Sequence, residues 1–229
     1  VSGLKTTEFT VEGEKYTVSG LTAGATGTDA GEYTANVTGT AVVKDADKND
    51  VTSQFAVTAK AGKLTITKRD VTLTSGSAEK EFDGDPLTND KVTVGGDGFA
   101  EGEGATYNVT GSQTIQGFST NHFTYTLNEG TNADNYNIAK TEGTLTVTNR
   151  AAKYEITVAA NSGTSKYDGS EKSVSGFKTL EFTVNNHKYT VSGLTAEAKA
   201  TDAGTYTANV TGTPVVTDAS GNNVTAQFA

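Results

Sequence analysis

At 229 residues, 34% apolar and 20% charged, the chain can bury the cores of two or three small domains. A net charge of −9 argues against nucleic acid or an anionic membrane surface as partner, and the absence of Cys excludes a disulfide framework and thiolate metal sites. No apolar run approaches the roughly 20 residues that span a bilayer, so no membrane insertion is expected in this segment, and Val1-Ser-Gly-Leu-Lys has no leader-like n-region.

Taken in chain order, the elements read as strands. Period-2 alternation marks Glu8–Val11 and Lys15–Val18, and the Glu12-Gly13 pair between them suits the positive φ of a tight hairpin turn. Thr28-Asp-Ala-Gly-Glu-Tyr33 then precedes a strand over Tyr33–Val37. An Asp-Ala-Gly-x-Tyr corner predicts a ring packed inward, with its hydroxyl tying down a loop. Asp45-Ala-Asp47-Lys-Asn49-Asp50 has oxygen ligands at alternate positions, like the start of a calcium loop, but no bidentate Glu follows and a turn is the better reading. Gly62-Lys-Leu-Thr-Ile66 closes the first segment.

The middle of the chain continues with Val71-Thr-Leu73, a Phe82-Asp83-Gly84 turn, and strands at Lys91–Val94, Phe123–Leu127 and Thr144–Val147. Alternation places most of Tyr107, Phe118, Phe123 and Tyr125 in the core. Tyr154-Glu-Ile-Thr-Val158 alternates again before a Tyr167-Asp168-Gly169 turn. Pro214 lacks a donor and is expected on a sheet edge, and Asp218–Asn223 reads as a hairpin loop. Four Asn-Val-Thr tripeptides, at Asn36, Asn108, Asn209 and Asn223, are read as strand residues rather than as glycosylation sites.

The dominant signal is duplication. Residues 1–56 realign without a gap on residues 174–229, a shift of 173, with 41 of 56 positions identical. The duplication acts as an internal control. The calcium-like loop becomes Asp218-Ala-Ser-Gly-Asn-Asn223 in the second copy and loses most of its carboxylates. His187 replaces Glu14, so it is no required base or ligand, and His122 has no triad context. A lysine–asparagine isopeptide staple would suit a cysteine-free chain, yet no facing Asn or Asp recurs opposite Lys5/Lys178 or Lys15/Lys188. No catalytic, metal or binding residue is assigned, and no cofactor is expected.

A fainter repeat aligns Phe55–Arg69 with Tyr136–Arg150. It predicts three segments: 1–69, a long-type β module lacking its first strands; 70–150, a complete short-type module; and 151–229, a long-type module lacking its last strand. Joints such as Lys68-Arg69-Asp70 and Asn149-Arg150-Ala151 hold no Pro, Gly or Ser tract, so the modules should stack stiffly into an elongated array. Unpaired edges in the outer segments predict end-to-end pairing or fraying. The fold class is all-β, as tandem small β-sandwiches of immunoglobulin-like kind, with a helix-poor β-grasp relative as the alternative.

The F/YDG turn, the Thr-Asp-Ala-Gly-x-Tyr-Thr-Ala-Asn-Val or Thr-Asn-His-Phe-Thr-Tyr-Thr-Leu strand and the closing Gly-x-Leu-Thr-(Ile/Val)-Thr-(Lys/Asn)-Arg resemble the MBG/YDG-type repeats of bacterial surface adhesins. The resemblance implies an extracellular, bacterial-surface or secreted protein whose repeats are stalk modules, with neighbouring repeats as partners and host glycoprotein or glycan as the candidate receptor. It brings no catalytic residues. The expected function is a non-enzymatic spacer that projects a distal binding domain. The alternative is weak, multivalent binding of host glycan or mucin by the repeats themselves.

Overall fold

Alternating Thr and Val fill one strand after another, and the structure, a computed structural model describing residues 2–229, is nearly all β. Val1, the first residue of the duplication, lies outside the described residues. Helical turns among the described residues are short 3₁₀ pieces at Thr52–Gln54, Ala133–Asn135 and Thr225–Gln227.

The first copy contributes β1 (Glu8–Val11), β2 (Glu14–Gly24) and β3 (Gly31–Lys44), followed by β4 (Gly62–Ile66), in the order β1-β2-β3-β4. Glu12 and Gly13 turn the first hairpin at φ 51° and 90°, and Asn185 and Asn186 do the same in the second copy at 48° and 65°. The middle of the chain contributes β5 (Arg69–Ser75), β6 (Ala78–Glu81), β7 (Val92–Gly96), β8 (Ala105–Val109), β9 (Gly117–Asn121), β10 (Phe123–Leu127), β11 (Tyr136–Thr141) and β12 (Gly143–Thr148). They form a β10-β8 pair, a β11-β5-β7 sheet and a β6-β12-β9 sheet, in which β12 runs parallel to β6 and antiparallel to β9. The second copy supplies β13 (Lys172–Ser175), β14 (Glu181–Val184), β15 (His187–Ala200) and β16 (Asn209–Asp218), with β15 paired to the other three.

The long strands of each copy bend at one place. The β2–β3 register shifts between Ser19 and Leu21, and the β15–β16 register between Ser192 and Leu194. Here Gly20 and Gly39 face each other so closely that a Cβ on Gly20 would sit 2.2 Å from the Thr40 carbonyl oxygen. Only glycine fits this crossing. Pro214 lies beside the same irregularity on β16, which pairs with β15 alone, as its missing donor requires.

The fold divides into two compact units. One comprises Val1–Leu73, Val94–Thr106 and Thr126–Lys140; the other comprises Thr74–Thr93, Tyr107–Tyr125 and Thr141–Ala229. Each unit therefore contains part of residues 70–150. The core of the second unit gathers Phe82, Val147, Tyr189, Val191, Val216, Val224 and Phe228, all buried.

Several expectations need correction. Phe123 is buried and Tyr107 is half-buried, but Phe118 is 79% and Tyr125 36% exposed, because both rings stand on the outward faces of their strands. Tyr154–Val158 keeps its alternation of burial yet forms one parallel bridge, Tyr154 to Phe228, instead of a strand. The Asp218–Asn223 loop closes on a single Thr217–Asn223 bridge and leads into a 3₁₀ turn, not a second strand. Asn223 is thus a loop residue whose Oδ1 accepts from the Thr225 amide and hydroxyl at 3.0 and 2.8 Å.

Candidate functional site

The sequence elements with the most chemical character are used to hold backbone. Asp45 accepts the Asn49 amide at 2.8 Å and the Asn49 side-chain amide at 3.0 Å, and Asp218 repeats both bonds with Asn222 at 2.8 and 2.9 Å. Those two donations hold the Asp45 carboxyl below its usual range. The Asp and Asn common to both copies are therefore the residues that tie the loop. Among the described residues, no group of three or more His, Asp or Glu side chains is placed to hold a metal ion. His122 Nδ1 lies 2.8 Å from Glu142, which also accepts the Phe123 amide at 3.3 Å, and His187 Nε2 lies 3.2 Å from Asp85.

The tyrosine corner ties its loop as expected, through Tyr33 Oη donating to the Asp29 carbonyl at 2.9 Å. The ring is half-buried on the strand face it shares with Ala35. It lies over Gly27, where a Cβ would meet ring atoms at 2.3 Å. Ala200 stands at the matching position of the second copy. There the Tyr206 ring is 48% exposed and its hydroxyl bond to the Asp202 carbonyl stretches to 3.3 Å.

In the first unit this corner is gripped by the 3₁₀ turn at Ala133–Asn135. The Asp29 carboxylate accepts from Asn135 Nδ2 at 2.8 Å and from Asn132 Nδ2 at 3.3 Å, while Asn135 Oδ1 accepts the Ala30 amide at 2.7 Å. Beside it Arg69 donates to the carbonyls of Asp97 and Gly98, and Asn137 donates to Asp70 at 2.9 Å. Tyr136 is buried against Phe99, and its hydroxyl donates to Glu103 at 2.5 Å; burial and that carboxylate raise the phenol.

In the second unit the Phe82-Asp83-Gly84 turn enters the second copy's core. Phe82 is 1% exposed and belongs to the cluster of Tyr189, Val216, Val224 and Phe228. Gly84, at φ 96°, comes so close that a Cβ would lie 2.5 Å from the His187 ring and 2.9 Å from the Tyr189 hydroxyl. Arg150 locks the turn: its guanidinium donates to the Phe82 carbonyl at 3.1 Å and stacks 4.0 Å over the Tyr154 ring. Gln227 accepts the Arg150 amide at 3.0 Å and donates to Asn149 at 2.6 Å. Burial, with nearby Tyr154, Asp218 and Asp83, pushes the Tyr189 phenol up to about 12. The space left beside the turn is an open crevice of about 150 Å³ lined by Thr114, His187, Asp218 and Ser220.

Phe82-Asp83-Gly84 reads as a turn from sequence, and the insertion of its ring into the second copy's core goes beyond that reading. No local signal separates it from Tyr167-Asp168-Gly169, whose tyrosine is 66% exposed.

The chain matches no family model, no curated protein and no solved structure.

Proposed function

We propose that this chain is a run of spacer modules from an extracellular, bacterial-surface adhesin, without catalytic activity, that holds a distal binding domain away from the cell. The observation that carries this reading is the burial of Phe82. A flexible string of domains would leave a turn of one sequence segment in solvent. Here it is sealed into the core of the next segment and clamped by Arg150. The corner held by Asn135 supports the same reading in the first unit. The likeness to MBG/YDG-type repeats, with their immunoglobulin-like stalk modules, agrees with it.

Backbone ¹⁵N relaxation tests the claim. Residues 78–93 and 174–229 are expected to share one rotational correlation time. Separate correlation times for the two stretches would overturn it.

A second reading, direct glycan binding, draws on Phe118, the most exposed large apolar side chain of the described residues. A flat ring in solvent offers a stacking surface for sugar. On a glycan array this reading expects weak signals that F118A removes, and equal signals from both proteins would reject it.

A further inference from the structure

Tyr33, Tyr136, Tyr154 and Tyr206 each use the phenol oxygen in a hydrogen bond. Tyr189, the most deeply buried tyrosine among the described residues at 2% exposed, makes none. A buried hydroxyl without a partner is uncommon in a packed core and calls for an explanation. Its position supplies one. The Tyr189 hydroxyl lies beside Gly84, where a Cβ would come within 2.9 Å of it. Both residues line the open crevice of about 150 Å³ next to the Phe82 turn, so the hydroxyl is aimed into that space.

The rest of the lining is of the same character. Thr114 and Ser220 bring side-chain hydroxyls that also make no hydrogen bond among the described residues. Acceptors stand opposite them. Asp218, the cross-strand partner of Tyr189, gives three of its roughly four lone-pair sites to the Ser220 and Asn222 amides and the Asn222 side chain. The duplication again serves as a control. Six crevice residues belong to the second copy, and four of them are unchanged in the first. The two that differ, His187 for Glu14 and Ser220 for Asp47, each remove a carboxylate.

We propose that this crevice binds one uncharged sugar ring, a pyranose of a glycan chain. Size sets the first limit. A cavity of about 150 Å³ holds a single benzene ring, so the space admits one six-membered ring. Chemistry sets the second. An apolar ring would leave the three hydroxyls unpaired, whereas a polyol offers each of them an acceptor and gives its own donors to Asp218. Charge sets the third. Burial first, and then the charges of Tyr154, Asp218, Asp83 and Asp85, raise the Tyr189 phenol, and a field that opposes a phenolate also opposes an anionic ligand. The proposal rests on the glycan-binding reading and places its site at the crevice instead of at Phe118.

Amide ¹H–¹⁵N spectra of the whole chain, titrated with the methyl glycosides of glucose, galactose, mannose and N-acetylglucosamine, test the proposal. At least one glycoside is expected to give saturable shifts at Gly84, Thr114, His187–Tyr189 and Asp218–Ser220. Y189F keeps the ring and removes one donor, and should weaken that binding about tenfold. S220D puts the first copy's carboxylate on an exposed rim position and should weaken it as well. The methyl glycoside of glucuronic acid should bind more weakly than that of glucose. Saturable shifts confined to Gly117–Ser119 would retain the glycan reading at Phe118 and overturn the crevice. No saturable shift anywhere, the crevice then holding water alone, or an affinity indifferent to both Y189F and S220D, would overturn it too.

Discussion

Tyr189 shows how one side chain ties folding to pH. Below pH 10 its phenol is neutral whether the chain is folded or not, so burial stabilises fully. Between about 10 and 12 the unfolded chain ionises first, because burial holds the folded group up to about 12, and stability falls with rising pH. Tyr189→Phe removes the ionisable group. Urea midpoints measured at pH 8 and pH 11 should therefore differ less in the variant than in the parent. An unchanged difference would mean that other groups drive the alkaline loss. Asp168 is the acidic counterpart: Lys172 and Ser170 bind its exposed carboxylate and draw it to about 2. Gly27 leaves room for the Tyr33 ring to lie on it, and Ala200 takes that place beside Tyr206, which is 48% exposed.

Among the elements, hairpins carry their instructions locally. Glu12 sits at φ 51°, a left-handed conformation that costs an L-residue with a long side chain about 1 kcal/mol, whereas the second copy has Asn there. E12N should stabilise the first hairpin by up to about 1 kcal/mol in denaturant melts, with the β1–β2 register unchanged. The Phe82 turn is different, because its partners lie far along the chain, from Arg150, 68 residues away, to Tyr189 and Phe228 beyond it. F82A should cost about 3–5 kcal/mol in unfolding of the second unit, as a fully buried ring leaves a cavity in a packed cluster. A loss below about 1 kcal/mol would show the turn to be a passive neighbour.

The same contrast explains what could be read from sequence. Strands, their alternation, the hairpin turns, the edge position of Pro214 and the loop-tying Asp45/Asp218 follow from neighbours a few residues apart. The parallel β6–β12 pairing, the Phe82 insertion and the grip of Asn135 on Asp29 depend on contacts that no local pattern encodes. Phe118 misled because alternation reports that a residue faces one side of a strand, not which side is covered. The stretched Tyr206 corner was foreshadowed by the Gly27-to-Ala200 change, a signal that gains meaning only once the ring position is known.

At the scale of the whole molecule, the two copies are a paired experiment: nearly one sequence in two surroundings. Tyr189, Val191, Val224, Gln227 and Phe228 are buried, while Tyr16, Val18, Val51, Gln54 and Phe55 at the matching positions are half-buried or exposed. The extra cover in the second copy comes from Tyr154, the Phe82 turn and Arg150. Burial in each copy therefore depends on the segments packed against it as much as on its own sequence. A segment of residues 174–229 expressed alone should show the amide protection of the first copy rather than its own. Full protection of the lone segment in hydrogen exchange would contradict that.

The ring of Phe82 also bears on how the chain gives way under tension. Because that ring is shared by two stretches of sequence, neither can be drawn out without uncovering the other. A pulling trace of the second unit should then release its hidden length in a single rupture instead of a staircase. In the spacer role proposed above, such coupling sets a threshold force rather than a gradual yield.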